Sequence, residues 1–159
     1  MPIRPLVICL FRHKNHILVM EGYDPVKQQT FYRPLGGGIE FGEHSAIALR
    51  RELREELGAE ITALRYLGTL ENIFTYASRP GHEIVLVYDA TFVDPSFYVP
   101  PRVQGVEDNG KPFYAHWKSL DFFRAPGAPP LYPTGLLDLM RTQSAPPTIN
   151  RQPPTDYHP

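Results

Sequence analysis

The chain reads as an α/β (α+β) protein, a mixed sheet with helices on its faces. Three observations point there. Short β-branched-rich runs stand both before and after one well-marked amphipathic helix, and a second helical pattern closes the ordered part. A length of 159 residues suits one domain, with enough chain to bury most of its surface. The composition, 42% apolar and 21% charged, is that of an ordinary globular chain.

Residues 5–12 and 16–21 are two apolar runs, and His13-Lys14-Asn15 between them reads as a hairpin turn. Residues 29–35 form a third extended stretch, in which Pro34 argues against a central strand. Gly36-Gly37-Gly38 reads as a turn or a close backbone approach. Residues 44–57 are predicted helical, with Ala46, Leu49, Leu53 and Leu57 on one face and Gly58 as the stop. Residues 60–76 are extended, with a break at Leu67-Gly68. Turn chemistry at 77–81 leads into a strand over 82–93. A loop fills 94–111, a short strand 112–117, and Ser119 caps a helix over 120–124. The last helix is placed at 134–141. Residues 1–141 therefore form the domain, and 142–159 a proline-rich disordered tail.

Several function classes fall away. A net charge of −1 gives no basic excess for a phosphate-backbone binder, so no nucleic-acid partner is expected. No run approaches the ~20 apolar residues of a membrane span. The N-terminus lacks a signal-peptide pattern, and the expected location is cytoplasmic. The single cysteine, Cys9, sits in an apolar run and reads as a buried hydrophobe.

The chemistry concentrates in the helix. Glu52, Glu55 and Glu56 are spaced i, i+3 and i+4, which puts three carboxylates on one side. A hard divalent cation such as Mg²⁺ relieves their repulsion through oxygen ligands. Arg50, Arg51 and Arg54 are interleaved with them, so a solvated mixed-charge face is the competing explanation for the helix alone. A glycine triplet and an acidic linker with Glu40 and Glu43 precede the helix at fixed spacing.

Gly37, Glu43, Arg51, Glu52, Leu53, Glu55, Glu56 and Gly58 fall at the spacing of the Nudix box, G-x5-E-x7-R-E-U-x-E-E-x-G-U, where U is bulky and apolar. Only the last position departs, with Ala59 in place of a larger residue. The family's usual Leu-Pro before the glycines is here Pro34-Leu35, and Tyr32 can fill the place of an upstream aromatic. The chain thus resembles the Nudix hydrolases from Gly37 to Ala59. The order of flanking elements resembles the family's α/β/α sandwich over roughly 3–141.

The resemblance implies hydrolysis of a diphosphate bond in a nucleotide-type substrate by water attack on phosphorus. It implies Mg²⁺ (or Mn²⁺) held by Glu52, Glu55, Glu56 and the carbonyl of Gly36, with Glu43 and Arg51 pairing behind them. The catalytic base would be Glu52 or a residue of a later loop. Glu83 and Glu107 are candidates for an extra carboxylate, with Glu71 a further one outside the box; each also reads as a plain surface residue. Family subgroups are separated by a residue 16 to 18 positions after the box. Tyr76 stands there and points to diadenosine polyphosphates, though it equally suits a core aromatic. Tyr32, Arg33, Phe74 and Tyr76 are candidates for stacking on a base or pairing with phosphate. A homodimer is in keeping with the family. A nucleotide sensor without activity and a hydrolase of a non-nucleotide diphosphate are the alternatives.

Overall fold

The computed structural model describes residues 2–142. Its sheet is organised around β1 (Arg4–Leu10), whose alternate side chains are buried on opposite faces. Val7 and Cys9 enter one core, and Leu6, Ile8 and Leu10 the other. A strand covered on both sides needs no polar face, which is why this run is continuously apolar. β1 pairs in parallel with β6 (Arg79–Phe92) and antiparallel with β4 (Gln29–Gly38). With β3 (His16–Asp24), β5 (Ile61–Tyr76), β7 (Arg102–Val106) and β8 (Pro112–Ser119), the sheet order is β5-β6-β1-β4-β3-β8-β7. The two-residue β2 (Arg12–His13) pairs with β3.

The helix α1 (Ser45–Leu57) covers one face, with Ala48, Leu49 and Leu53 packed into the core of Val7, Cys9, Phe11 and Leu35. Full burial of Leu49 and Leu53 supplies roughly 2–3 kcal/mol each. Gly58 ends the helix at φ 63°, and its N–H bonds the carbonyl of Arg54 at 2.9 Å. Ala59, 1% exposed, then tucks into the same core. On the other face Phe123 of α2 (Leu120–Arg124) joins Leu136 and Met140 of α3 (Leu136–Thr142) against Leu6, Ile8, Val85 and Val87. The result is an α/β/α arrangement around a mixed sheet.

The structure corrects several local expectations. β4 lies between β1 and β3, so Pro34 is in a central strand after all. It is tolerated because β4 changes partner there: Gln29–Pro34 pair with β3, and Leu35–Gly38 with β1. The three glycines are strand residues rather than a turn, and at Gly36 and Gly37 the expected close backbone approach is present. The break expected at Leu67-Gly68 is a register shift within a continuous β5. The β5–β6 turn is only Ala77-Ser78, both at positive φ, and Arg79-Pro80-Gly81 already belong to β6. Within the loop expected over 94–111 lie a 3₁₀ turn (Pro95–Tyr98) and β7. Ala48, rather than Ala46, is fully buried on α1. Cys9 is completely buried; burial, and then Asp89, push its thiol pKa well up. Thr142 ends α3, and the rest of the proline-rich tail expected over 142–159 lies outside the described residues.

Candidate metal centre and substrate cleft

The site begins with what the glycines permit. At Gly36, φ is 145°, and a Cβ would stand 2.0 Å from the Val7 carbonyl oxygen. At Gly37 a Cβ would stand 2.2 Å from the Glu52 carboxyl carbon. Both positions require a bare backbone, one against the neighbouring strand and one against the helix carboxylate.

Arg51 organises the negative charge. Its Nε and Nη2 each donate to Glu43 at 2.9 Å, a two-point pairing that joins the linker to the helix. Nη2 also donates to the Gly38 carbonyl at 3.0 Å, and Nη1 to Glu52 at 2.9 Å and Glu55 at 3.2 Å. The bond to Arg51 dominates the Glu43 carboxyl and holds its pKa below the ordinary value, against the opposing effect of burial. Arg51 is in turn pushed up, chiefly by Glu43. At Glu52 burial wins over the Arg51 bond and raises the pKa.

Glu56 has no such support. Its Oε2 is buried without a hydrogen-bond partner. Burial first, and then the charge of Glu52, push its pKa up to about 7; Arg33 opposes this, while Asp108 and Glu107 reinforce it. An unpartnered buried carboxylate oxygen in an all-oxygen set of like charges is what a hard divalent cation neutralises. The donors fit such a cation in kind. As they stand, however, no three His, Cys, Asp or Glu side chains among the described residues converge to enclose one, and Arg51 holds oxygens of Glu52 and Glu55.

Glu52 and Glu56 open onto a cleft of about 270 Å³, also lined by Gly36, Gly37, Glu83 and Asp108. Arg33 and Phe74 reach the same cleft, as do Arg4, Asn72 and Tyr132, which the sequence did not single out. Asn72, 7% exposed, donates to Glu83 at 3.2 Å and fixes that carboxylate. Glu55 and Glu107 lie in an adjoining depression that shares Glu52 and Asp108. Asp108 stands next to Glu107 on the β7–β8 turn. That neighbour is its only signal in the sequence.

Other candidates are placed elsewhere. Tyr32 is 4% exposed, bonds Glu21 at 2.7 Å and packs edge-on against Phe122 and Phe123, so it does not line the cleft. Tyr76 sits at the β5–β6 tip, 3.3 Å from the Tyr23 carbonyl and edge-on to Phe31. Glu71 pairs with His82 at 2.7 Å on the surface.

The NUDIX domain model matches residues 2–129. An NAD-capped RNA hydrolase NudC from Vibrio vulnificus is 26% identical over 133 residues, 84% of this chain and 43% of its own length. A protein of the same name from Pseudomonas aeruginosa is 31% identical over 117 residues, 74% of this chain and 36% of its own. The chain therefore spans less than half the length of these relatives. A NUDIX hydrolase structure from Nitrosomonas europaea matches with TM-score 0.60 at 19% identity, covering 88% of this chain and 87% of that one. A MutT protein structure from Bacillus halodurans matches with TM-score 0.56 at 15% identity, covering 90% and 84%. These two matches carry the fold. No helix among the described residues is long and apolar enough to cross a membrane.

Proposed function

Because the chain belongs to the NUDIX domain family, we propose that it hydrolyses a diphosphate bond in a nucleotide-type substrate, in a reaction that depends on a divalent cation. The observation that carries the metal dependence is Glu56: a buried carboxylate oxygen without a partner, beside Glu52, in the wall of a cleft. Glu52, Glu55 and Glu56 would hold Mg²⁺ with the carbonyl of Gly36, and Mn²⁺ would substitute. When bound, such an ion neutralises phosphate oxygens and lowers the pKa of a coordinated water.

The chain's own residues do the rest. Arg51, tied to Glu43 and Gly38, holds Glu52 against the Gly37 backbone and so keeps the carboxylates in register. Arg33 and Arg4 line the same cleft and offer positive charge to the diphosphate. Water attacks phosphorus, the bridging P–O bond breaks, and one cleft carboxylate takes the water's proton. Glu52, Glu83 and Asp108 are the candidates for that base.

The two NudC relatives are NAD-capped RNA hydrolases by name, so an RNA-linked dinucleotide belongs in the panel beside diadenosine polyphosphates and nucleotide sugars. The test is turnover of that panel with Mg²⁺ or Mn²⁺, together with calorimetric Mn²⁺ binding. Wild type should bind Mn²⁺ and turn over at least one compound, and Glu55→Gln and Glu56→Gln should lose both while remaining folded. A wild type that binds Mn²⁺ and nucleotides but cleaves nothing would support a sensor instead.

A further inference from the structure

The segment after α2 is stitched onto β4. Tyr32 N–H donates to the Pro130 carbonyl, and Tyr132 N–H to the Tyr32 carbonyl, both at 2.8 Å, with Leu131 bridged in parallel to Tyr32. These bonds deliver the half-buried Tyr132 side chain to the wall of the cleft. Its ring is braced edge-on by Phe31, at 5.7 Å between centroids, and Phe31 is braced in turn by Tyr76 at 6.0 Å. Phe74 reaches the same cleft from β5. Its ring lies over Gly81, its partner across the β5–β6 ladder, where a Cβ would meet it at 2.4 Å. Glycine there lets the ring lie flat on the strand. Phe74 and Tyr132 are both half-buried and both line the cleft.

The geometry points to Tyr132 and Phe74 as the specificity-determining pair that receives the flat heteroaromatic base of the substrate. This rests on the nucleotide reading of the cleft above. Aromatic faces take up bases by stacking and tolerate different bases, because each has a π-face. Tyr132 also lies beyond residues 2–129, the part of the chain that the family model matches. The shared domain supplies the carboxylates, and a segment outside it supplies one aromatic wall. The assignment gives the Phe31–Tyr76 pair a structural use: it supports the Tyr132 ring without entering the cleft.

The test compares two ligands that differ only in the nucleoside, α,β-methylene-ADP and methylenediphosphonate, by calorimetry with Mg²⁺. Wild type should prefer the nucleoside-bearing ligand. Tyr132→Leu should reduce that preference about tenfold, as expected for one lost stacking face, and Tyr132→Phe should restore it. Should Tyr132→Leu fail to fold, Phe74→Leu reads out the other ring in the same way. A wild type without preference, or a preference unmoved in the folded leucine variants or unrestored by Phe, overturns the assignment. Base-dependent binding without hydrolysis of the panel would overturn the hydrolase reading alone. Hydrolysis with base-independent affinity would overturn the aromatic pair alone.

Discussion

Replacing Glu56 with Gln should stabilise the metal-free protein at alkaline pH while removing its activity. The carboxyl is buried beside Glu52, and its pKa rises from 4.5 to about 7. At about 1.4 kcal/mol per pH unit, that rise corresponds to roughly 3 kcal/mol against the ionised folded state. Partial solvent access to the side chain reduces the effect to about 2 kcal/mol. The sign follows from proton counts. Between pH 4.5 and about 7 the folded state holds a proton that the unfolded chain has released, so stability falls as pH rises through that window. Urea denaturation in EDTA at pH 5 and pH 8 measures it. Wild type should lose about 2 kcal/mol from this carboxyl on going to pH 8, and Glu56→Gln should exceed wild type by a similar amount there, with a smaller gap at pH 5. Equal stability at pH 8, or a gap that ignores pH, would refute the picture of an uncompensated buried charge.

Other substitutions probe the scaffold of the site. Gly36→Ala forces a Cβ onto the Val7 carbonyl at φ 145° and should cost at least about 3 kcal/mol in a denaturation experiment, or prevent folding. Gly37→Ala pushes the Glu52 carboxylate off the backbone and should weaken calorimetric Mn²⁺ binding more than it lowers the melting temperature. Arg51→Lys cannot reproduce the two-point bond to Glu43 together with the contacts to Gly38 and Glu52, and should lower kcat at least tenfold with the chain still folded. Leu53→Ala, at a fully buried position under the sheet, should destabilise by about 2–5 kcal/mol and spare the affinity for Mn²⁺.

The part of the site carried by α1 was legible in the sequence because it is local. Glu52, Glu55 and Glu56 lie within two turns of one helix, and Gly58 marks its end by a backbone conformation that glycine favours. What resisted reading depends on pairing between distant segments. Pro34 looks unfit for a central strand until its partner is seen to change from β3 to β1 at that residue. The glycine triplet looks like a turn until β1 lies beside it. β7 is five residues long, follows two prolines and contains Gly105, so its alternation is too brief to stand out. Tyr32 is an aromatic close to the box in sequence, yet strand alternation turns it to the α2 face, while Arg33 beside it reaches the cleft. Tyr132 reaches the cleft only because backbone hydrogen bonds to a strand 100 residues earlier hold it there. No local pattern could announce that.

The most direct test of the central claim is ³¹P NMR of the nucleotide panel in ¹⁸O-enriched water, with Mg²⁺ and then with excess EDTA. The account predicts that at least one diphosphate-linked compound is converted to products carrying one ¹⁸O on phosphorus, that EDTA stops the conversion, and that Glu56→Gln does not perform it. Conversion that persists in EDTA, full turnover by Glu56→Gln, or products free of ¹⁸O on phosphorus would contradict it.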